Sequence, residues 1–212
     1  MLTIALPKGR IADETLDIFA KIFNQEFKFE NRKLILETPN FKFLSVRNQD
    51  VPTYVEYGAA DIGVVGLDVI REKELDIVDL LDLQIGKCKV AIGIKNEDTL
   101  DWNRPDIKIA TKMVNITKNY FASRAVGVEI IKLYGSIELA PLVNLADAIV
   151  DIVETGETMR ENGLKVAEDI MDSSAHLIAN KNSFFEKKSE VLELFNALKE
   201  VVEKNWASKK RL

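Results

Sequence analysis

The chain is poor in the residues that build disulfides and most metal centres. Among 212 residues there is one cysteine, Cys88, and one histidine, His176. A single thiol excludes an internal disulfide framework, and one thiol with one imidazole excludes the usual thiolate or imidazole metal sites. Any bound metal is therefore expected to be a hard cation held by oxygen atoms. Both residues are interpreted as structural, and the apolar residues Ala175, Leu177 and Ile178 around His176 predict a strand.

Clustered positive charge and long apolar runs are also missing. The net charge is −5, and the only basic block is the end of the chain at Lys209, Lys210 and Arg211, which is interpreted as a solvated tail. This disfavours nucleic acid as the main ligand, because its phosphates attract clustered Lys and Arg. No apolar run approaches the length of a membrane span, and the first residues do not have the pattern of a signal peptide. We therefore expect a cytoplasmic enzyme with no nucleic-acid or membrane partner.

Short apolar runs alternate with stretches of helical spacing. The runs lie at residues 2–6, 62–65, 90–94, 107–110, 130–133 and 149–153. This alternation predicts an α/β fold. Residues 34–46 predict two further strands joined by a turn. A capping box at Ser183 and Glu186 predicts the start of a last helix, whose apolar stripe continues to Trp206.

The run from Ala148 to Thr158 is the most informative segment. It predicts a buried strand followed by a turn of small and hydroxyl-bearing residues, Thr155, Gly156 and Thr158. Backbone N–H groups in such a turn can converge on a phosphate while the hydroxyls donate to it. Asp151 and Glu154 would repel that anion, so we expect them to reach sugar hydroxyls or a divalent cation. An ordinary capped strand-to-helix connection is the alternative interpretation.

A basic turn follows the first predicted strand. Gly9 permits close approach of the backbone, and Lys8 and Arg10 add two cations at the start of a helix. The turn predicts an anion site, with a solvated surface turn as the alternative. Arg32 and Arg47 supply further guanidinium groups suited to phosphate, although either one alone is also typical of a surface.

Three more strand ends carry candidate residues. Gly66 closes the segment 61–66, where two glycines flank a β-branched pair and either a ligand or packing could require them. Thr111 and Lys112 follow one strand, and Glu138 lies after the next. Each of these can also be explained as a helix cap.

Taken in order, these segments resemble the short form of ATP phosphoribosyltransferase. The resemblance is carried by residues 5–10 (ALPKGR), 51–66 (VPTYVEYGAADIGVVG), 133–143 (LYGSIELAPLV) and 148–164. It covers nearly the whole chain. Two positions depart from the family pattern: Leu67 replaces a common Lys or Thr, and Asn144 replaces a common Gly.

The resemblance implies a two-lobed α/β fold of the type II periplasmic-binding-protein kind, with a ligand cleft between the lobes. The first lobe would comprise residues 1–86 and 179–212. The second would comprise residues 87–178 and would carry the phosphoribosyl-binding loop. The regulatory domain at the C-terminus of long-form relatives is expected to be missing.

The implied reaction transfers the 5-phosphoribosyl group of phosphoribosyl pyrophosphate to N1 of the adenine of ATP. The residues that would neutralise the leaving pyrophosphate are Lys8, Arg10 and Arg32. Those that would bind phosphoribosyl pyrophosphate are Asp151, Glu154, Thr155, Gly156, Glu157 and Thr158. Those expected to bind ATP or line the cleft are Gly9, Arg47, Gly66, Asp68, Thr111, Lys112 and Glu138.

The resemblance also implies Mg²⁺ as cofactor, bound mainly through substrate phosphates, with no protein ligand assigned. It implies a homodimer and a regulatory subunit resembling a histidyl-tRNA synthetase. Two other functions remain open from the residues. One is a solute-binding module, because carriers share this fold. The other is a phosphoribosyltransferase that uses a different base, because adenine pockets have no short signature.

Overall fold

A computed structural model describes residues 1–30 and 32–209, the last five through their backbone alone. The predicted packing of the Trp206 side chain and the basic residues Lys210 and Arg211 lie outside this described part. The strands are β1 Leu2–Pro7, β2 Ile35–Glu37, β3 Phe41–Val46, β4 Ile62–Gly66, β5 Val78–Asp82, β6 Cys88–Lys95, β7 Ile107–Thr111, β8 Val128–Lys132, β9 Ala148–Val153, β10 Leu164–Ser173 and β11 Ala175–Ala179. The helices are α1 Arg10–Phe23, α2 Val51–Glu56, α3 Leu67–Lys73, α4 Val114–Ser123, α5 Leu139–Leu142, α6 Glu157–Glu161, α7 Lys181–Glu186 and α8 Lys188–Lys209.

The chain divides into two compact units. The first comprises Met1–Gly86 and Ser174–Leu212, and the second comprises Lys87–Ser173. The chain therefore returns from the second unit to the first at residue 174, whereas the sequence predicts this return at residue 179, five residues later. The reason is β11, which pairs with β4 and β5 and so belongs to the sheet of the first unit.

The first unit is built on a six-stranded sheet in the order β2-β3-β1-β4-β11-β5. Strands β3, β1 and β4 run parallel, whereas β2 and β11 are antiparallel to their neighbours. Helix α1 buries Thr15, Ile18 and Phe19, which recur at helical spacing on one side of the helix. They pack with β1, β3 and α8 in one apolar core, and α2 packs in a second core with Ala5 and Val65.

The second unit is built on a five-stranded sheet in the order β10-β6-β9-β7-β8. Strands β9, β7 and β8 run parallel, and β6 is antiparallel to both of its neighbours. The apolar runs in β6, β7 and β9 are buried, as expected for central strands with both faces covered. Separate apolar clusters pack against the sheet.

Two strands were not predicted from the sequence. Strand β10 is an edge strand with two register irregularities, and β5 is the other edge strand in its sheet. In both, polar residues interrupt the apolar ones, because much of an edge strand faces solvent. A continuous apolar run therefore identifies central strands and misses these two.

The predicted capping box before the last helix is wrong. Asn180 caps the short helix α7, since its side chain accepts a hydrogen bond from the backbone N–H of Ser183 at 3.0 Å. Ser183 consequently lies inside α7, and α8 begins at Lys188. The predicted apolar stripe does pack inward through Val191 and Leu198.

Candidate active site

The basic residues of the first unit collect at one edge of its sheet. Strands β1 and β3 are parallel with Pro7 paired to Val46, so Lys8 and Arg47 follow neighbouring strand ends. The N–H of Lys8 donates to the carbonyl of Val46 at 3.1 Å, which holds the two chain segments together. Both basic side chains are exposed. The carboxyl edge of the parallel strands thus presents two adjacent cations.

Gly9 has a backbone conformation that other residues rarely adopt. Its φ is 91° and its ψ is −154°, and it lies immediately before the first residue of α1. A Cβ added there would have no heavy atom within 4 Å, so backbone conformation and not crowding requires glycine. The turn therefore directs the start of α1 and its unpaired N–H groups to the same edge as Lys8.

Replacing Gly9 by alanine tests this turn. We expect the free energy of unfolding to fall by about 1–3 kcal/mol, or the turn to rearrange, because this backbone conformation is essentially restricted to glycine. The catalytic efficiency should fall with it, because the turn carries Lys8 and Arg10. Gly127→Ala is the control, since Gly127 has open space around its Cβ and no positive φ. Melting temperature and steady-state rates measure both effects, and equal behaviour of the two variants would contradict the assignment.

Arg10 opens α1 and lies beside an acidic residue one turn along. Its Nε is 3.4 Å from Oε1 of Glu14, and the Arg10 side chain is 52% exposed. Glu14 also accepts a hydrogen bond from the N–H of Gly86 at 3.3 Å. Glu14 is thus bonded on both sides, and the guanidinium group is held near the helix start while much of it stays open to solvent.

Arg32 reaches the same edge through an antiparallel strand. The register pairs Ile35 of β2 with Leu44 of β3, and the N–H of Ser45 donates to the carbonyl of Leu34. The chain before β2 therefore lies beside the end of β3, where Arg47 follows. Arg32 is exposed. The chain segments that carry the four predicted cations, Lys8, Arg10, Arg32 and Arg47, therefore lie toward the same edge of the sheet.

Gly66 and Asp68, predicted near this site, are buried. Gly66 ends β4 with an ordinary extended backbone, and Asp68 lies in the first turn of α3 with 4% of its surface exposed. A carboxylate at a helix start stabilises the helix, so the position of Asp68 favours a structural role. Gly63 is required by packing, because a Cβ there would lie 2.8–2.9 Å from Val55 and Val51.

In the second unit, strand register brings Lys112 and Asp151 together. Strands β7 and β9 are parallel with Thr111 paired to Val150, so the next residue on each strand end is Lys112 or Asp151. Their side chains form an ion pair, with Nζ 2.9 Å from Oδ1. The sequence predicted both residues but not this contact, because they are 39 positions apart.

Thr111 has a structural role in this arrangement. It is fully buried, its hydroxyl donates to the carbonyl of Val150 at 2.7 Å, and it accepts from the N–H of Met113 at 2.9 Å. These contacts occupy the hydroxyl group. They fix the backbone on both sides of Lys112, so Thr111 positions Lys112 and does not itself contact a ligand through its hydroxyl.

The acidic, hydroxyl-rich turn after β9 is exposed, but the helix that follows it carries a buried side chain, Met159. Gly156 has φ 74° and precedes α6, which starts at Glu157. Thr155 and Thr158 are exposed, whereas Met159 in the same turn is buried in an apolar core. The N–H of Glu157 contacts the Thr155 hydroxyl at only 3.4 Å, so this cap is weak. The geometry therefore leaves hydroxyl and backbone donors at the surface.

Glu138 does not act as a helix cap. It occupies the position before α5, yet its side chain makes no capping hydrogen bond. It lies after β8, whose end pairs with Thr111 of β7. The predicted place of Glu138 in a ligand site stays a prediction.

The two departures from the family pattern have simple explanations. Asn144 has φ 56°, a left-handed conformation that Gly or Asn adopts most readily, and its side chain accepts a hydrogen bond from Lys95 at 2.9 Å. Leu67 donates its backbone N–H to the carbonyl of Ser174 at 2.9 Å. This backbone contact does not depend on the side chain at position 67.

No group of three or more His, Cys, Asp or Glu residues within 1–30 and 32–209 has the arrangement of a metal site. Over the same part of the chain, no helix combines the length and apolar character needed to cross a membrane.

Comparison with known proteins identifies the family. The family model described as HisG, ATP phosphoribosyltransferase, matches residues 47–200. The chain belongs to the ATP phosphoribosyltransferase family. Enzymes of this family are phosphoribosyltransferases that catalyse the first step of histidine biosynthesis.

Full-length relatives extend the match beyond the family model. The ATP phosphoribosyltransferase of Sulfurovum sp. is 80% identical over 203 residues, which is 96% of this chain and 98% of that protein. The ATP phosphoribosyltransferase of Campylobacter fetus is 70% identical over 202 residues, covering 95% of this chain and all of the relative. These alignments cover nearly all of both chains, so the likeness is not confined to one unit.

Solved structures confirm the predicted fold. The chain is similar to one from the ATP phosphoribosyl transferase (HisG:HisZ) complex of Thermotoga maritima, with a TM-score of 0.83, 34% identity and coverage of 96% and 99%. It also matches the substrate binding protein of an amino acid ABC transporter, with a TM-score of 0.62, 11% identity and coverage of 98% and 94%. The second likeness concerns the fold alone. It confirms the type II periplasmic-binding-protein kind of architecture that the sequence predicted.

Proposed function

We propose that this protein transfers the 5-phosphoribosyl group from phosphoribosyl pyrophosphate to N1 of the adenine of ATP, with release of pyrophosphate. Family membership supports the reaction. The observation that carries the proposal is the loop after β9, where Asp151 is followed by exposed Thr155 and Thr158 around a left-handed Gly156. A carrier of simple anions has no need of carboxylates beside a phosphate-binding turn.

Separate groups of residues are proposed for separate parts of the donor substrate. In the second unit, Thr155 to Thr158 would bind the 5-phosphate through hydroxyl and backbone donors. Asp151 and Glu154 would accept hydrogen bonds from the ribose hydroxyls. In the first unit, the cations at the carboxyl edge of the sheet would bind the pyrophosphate.

The chemistry is a displacement at C1 of the ribose. The N1 lone pair of adenine forms a bond to C1 as the bond from C1 to the pyrophosphate oxygen breaks, and that electron pair leaves with pyrophosphate. The ribose carries oxocarbenium character in the transition state, as in other glycosyl transfers. Lys8, Arg10 and Arg32 would stabilise the negative charge that develops on the leaving group.

Mg²⁺ would act on the substrate phosphates. No acidic cluster with metal-site geometry exists within the described residues. Mg²⁺ usually keeps several waters and binds through one or two carboxylates together with substrate phosphates. When bound there it would supply charge neutralisation for the pyrophosphate, alongside the basic side chains of the first unit.

We further propose that the protein works in the cytoplasm, as a homodimer with a regulatory subunit. The similar chain from Thermotoga maritima was solved in a complex of HisG with HisZ. By this likeness, we expect the partner to be a HisZ-type subunit, which resembles a histidyl-tRNA synthetase.

The decisive experiment is to incubate the protein with ATP, phosphoribosyl pyrophosphate and Mg²⁺, with and without the HisZ-type subunit. Formation of phosphoribosyl-ATP, detected by its mass, is the expected result. GTP in place of ATP tests for a transferase that uses another base. Absence of product in both mixtures would contradict the proposed reaction, and binding without turnover would favour a carrier.

A further inference from the structure

The carboxylate of Asp151 is fixed by two contacts to the same oxygen atom. Oδ1 lies 2.9 Å from Nζ of Lys112 and accepts a hydrogen bond from the N–H of Ile152 at 2.8 Å. The Asp151 side chain is only 11% exposed, whereas that of Lys112 is 36% exposed. In the described part of the chain, these contacts leave Oδ2 available to a ligand.

Lys112 is held at this position by a rigid backbone. Thr111 precedes it with a buried hydroxyl bonded to Val150 of the neighbouring strand and to the N–H of Met113. Residues 111 and 150 are paired in the parallel ladder, which puts Lys112 and Asp151 opposite each other. The ion pair therefore joins two adjacent strand ends and does not depend on a flexible loop.

The surroundings of Asp151 create an electrostatic problem for phosphate binding. The seven-residue segment 151–157, which runs into the turn proposed to bind the 5-phosphate, contains three carboxylates: Asp151, Glu154 and Glu157. Of the three, Asp151 is the most buried, so water screens its charge least. An ammonium group in contact with it reduces the repulsion of an incoming phosphate.

We propose that Lys112 is a positioning residue for the phosphoribosyl donor. Its ammonium group orients the Asp151 carboxylate, so that Oδ2 accepts a hydrogen bond from a ribose hydroxyl, and it offsets the negative charge that would otherwise repel the phosphate. This inference rests on the proposed function, because it assigns Lys112 to the same site. It differs from the sequence prediction, in which Lys112 contacts ATP or lines a cleft.

Replacing Lys112 by methionine keeps the length of the side chain and removes its charge. We expect the KM for phosphoribosyl pyrophosphate to rise about tenfold or more, because Asp151 is left buried without its partner. The KM for ATP should stay close to that of the wild type, whereas the melting temperature should fall, because a buried carboxylate loses its charged partner. Lys112→Arg should recover most of the loss, because a guanidinium can still pair with the carboxylate.

Lys108→Met is the matched control. Lys108 lies on the same strand, β7, and its ammonium group is 3.9 Å from Glu129, in an exposed pair. Removing this charge should leave both KM values unchanged. If Lys112→Met instead raises the KM for both substrates equally, Lys112 has only a structural role and the proposal is wrong.

A double-mutant cycle with Asp151→Asn separates an indirect role from a direct one. If Lys112 acts through Asp151, then Lys112→Met should cause little further loss once Asp151 is neutral. A full additional loss in that background would mean that Lys112 binds the substrate directly, and would overturn its positioning role alone. A wild-type protein that forms no phosphoribosyl-ATP would contradict the proposed function, and the role of Lys112 would fall with it.

Discussion

Replacing Arg10 or Arg32 by alanine is expected to lower the turnover number by about 10²-fold or more for each residue, while the fold is retained. Arg10 follows β1 at the start of α1, Arg32 precedes β2, and both residues are exposed. Their loss therefore leaves no cavity and no unpaired buried charge. The effect should fall on the transition state, where charge develops on the leaving pyrophosphate.

Neighbouring residues provide controls for these two variants. Glu14→Ala removes the partner of Arg10 and keeps the guanidinium, so turnover should change far less than in Arg10→Ala. Lys33→Ala removes an exposed cation, paired with Glu30 at 2.7 Å, directly next to Arg32. Single-turnover kinetics would separate chemistry from product release. Wild-type rates in both arginine variants would contradict the roles proposed for them.

Replacing Lys187 by alanine is expected to cause a large loss of stability. Its Nζ lies 2.9 and 2.8 Å from the two carboxylate oxygens of Asp61, which is 6% exposed. Asp61 also accepts from the N–H of Thr3 at 2.8 Å. Without Lys187 the carboxylate stays buried with one hydrogen-bonded partner fewer. We expect the free energy of unfolding to fall by about 2–3 kcal/mol, which corresponds to a melting temperature lower by roughly 5 °C or more.

The effect of Lys187→Ala should depend on pH in a defined direction. Burial alone would raise the pKa of Asp61, but the hydrogen bonds from Lys187 and Thr3 outweigh it and hold this pKa below its usual value. A carboxylate with a lowered pKa in the folded state stabilises the protein above its unfolded pKa of about 3.9. That contribution is lost as the pH falls through the folded value. The difference between wild type and variant should therefore be complete at pH 7 and shrink below about pH 4.

The control for this prediction is Lys181→Ala. Lys181 lies at the start of α7 and pairs with Asp76, and both side chains are at least half exposed. An exposed pair contributes about 0–1 kcal/mol, so this variant should melt close to the wild type. Thermal unfolding of the two variants at pH 7 and pH 3 makes the comparison. Equal melting temperatures at pH 7 would contradict a stabilising role for the buried pair.

Local patterns in the chain decided which segments form the central strands and which residues follow them. The apolar runs in β1, β4, β6, β7 and β9 are buried on both faces, so their composition alone identifies them. Parallel strands bring their carboxyl ends to one edge of a sheet. For this reason Lys8 and Arg47, which the sequence predicted separately, follow neighbouring strand ends in the structure.

Contacts between residues that are far apart in the chain were determined only by the packing of the strands and helices. The pair of Lys112 with Asp151 requires the register of β7 and β9, and the pair of Asp61 with Lys187 joins residues 126 positions apart. No periodicity in the sequence reports such a contact. The same reason accounts for Asn180, which caps α7 and donates to the carbonyl of Val55 at 2.9 Å.

The roles of the candidate residues stay predictions, but the residues could be proposed from the sequence, because strand ends, glycine turns and charged side chains leave local signals. Their division into exposed and supporting residues could not. Thr111 and Asp68 were predicted to bind ATP or line the cleft, but both are buried. Thr155 and Thr158 are exposed. Burial is a property of the packed chain, since it depends on which strands and helices cover a residue, and only the tertiary structure contains that information.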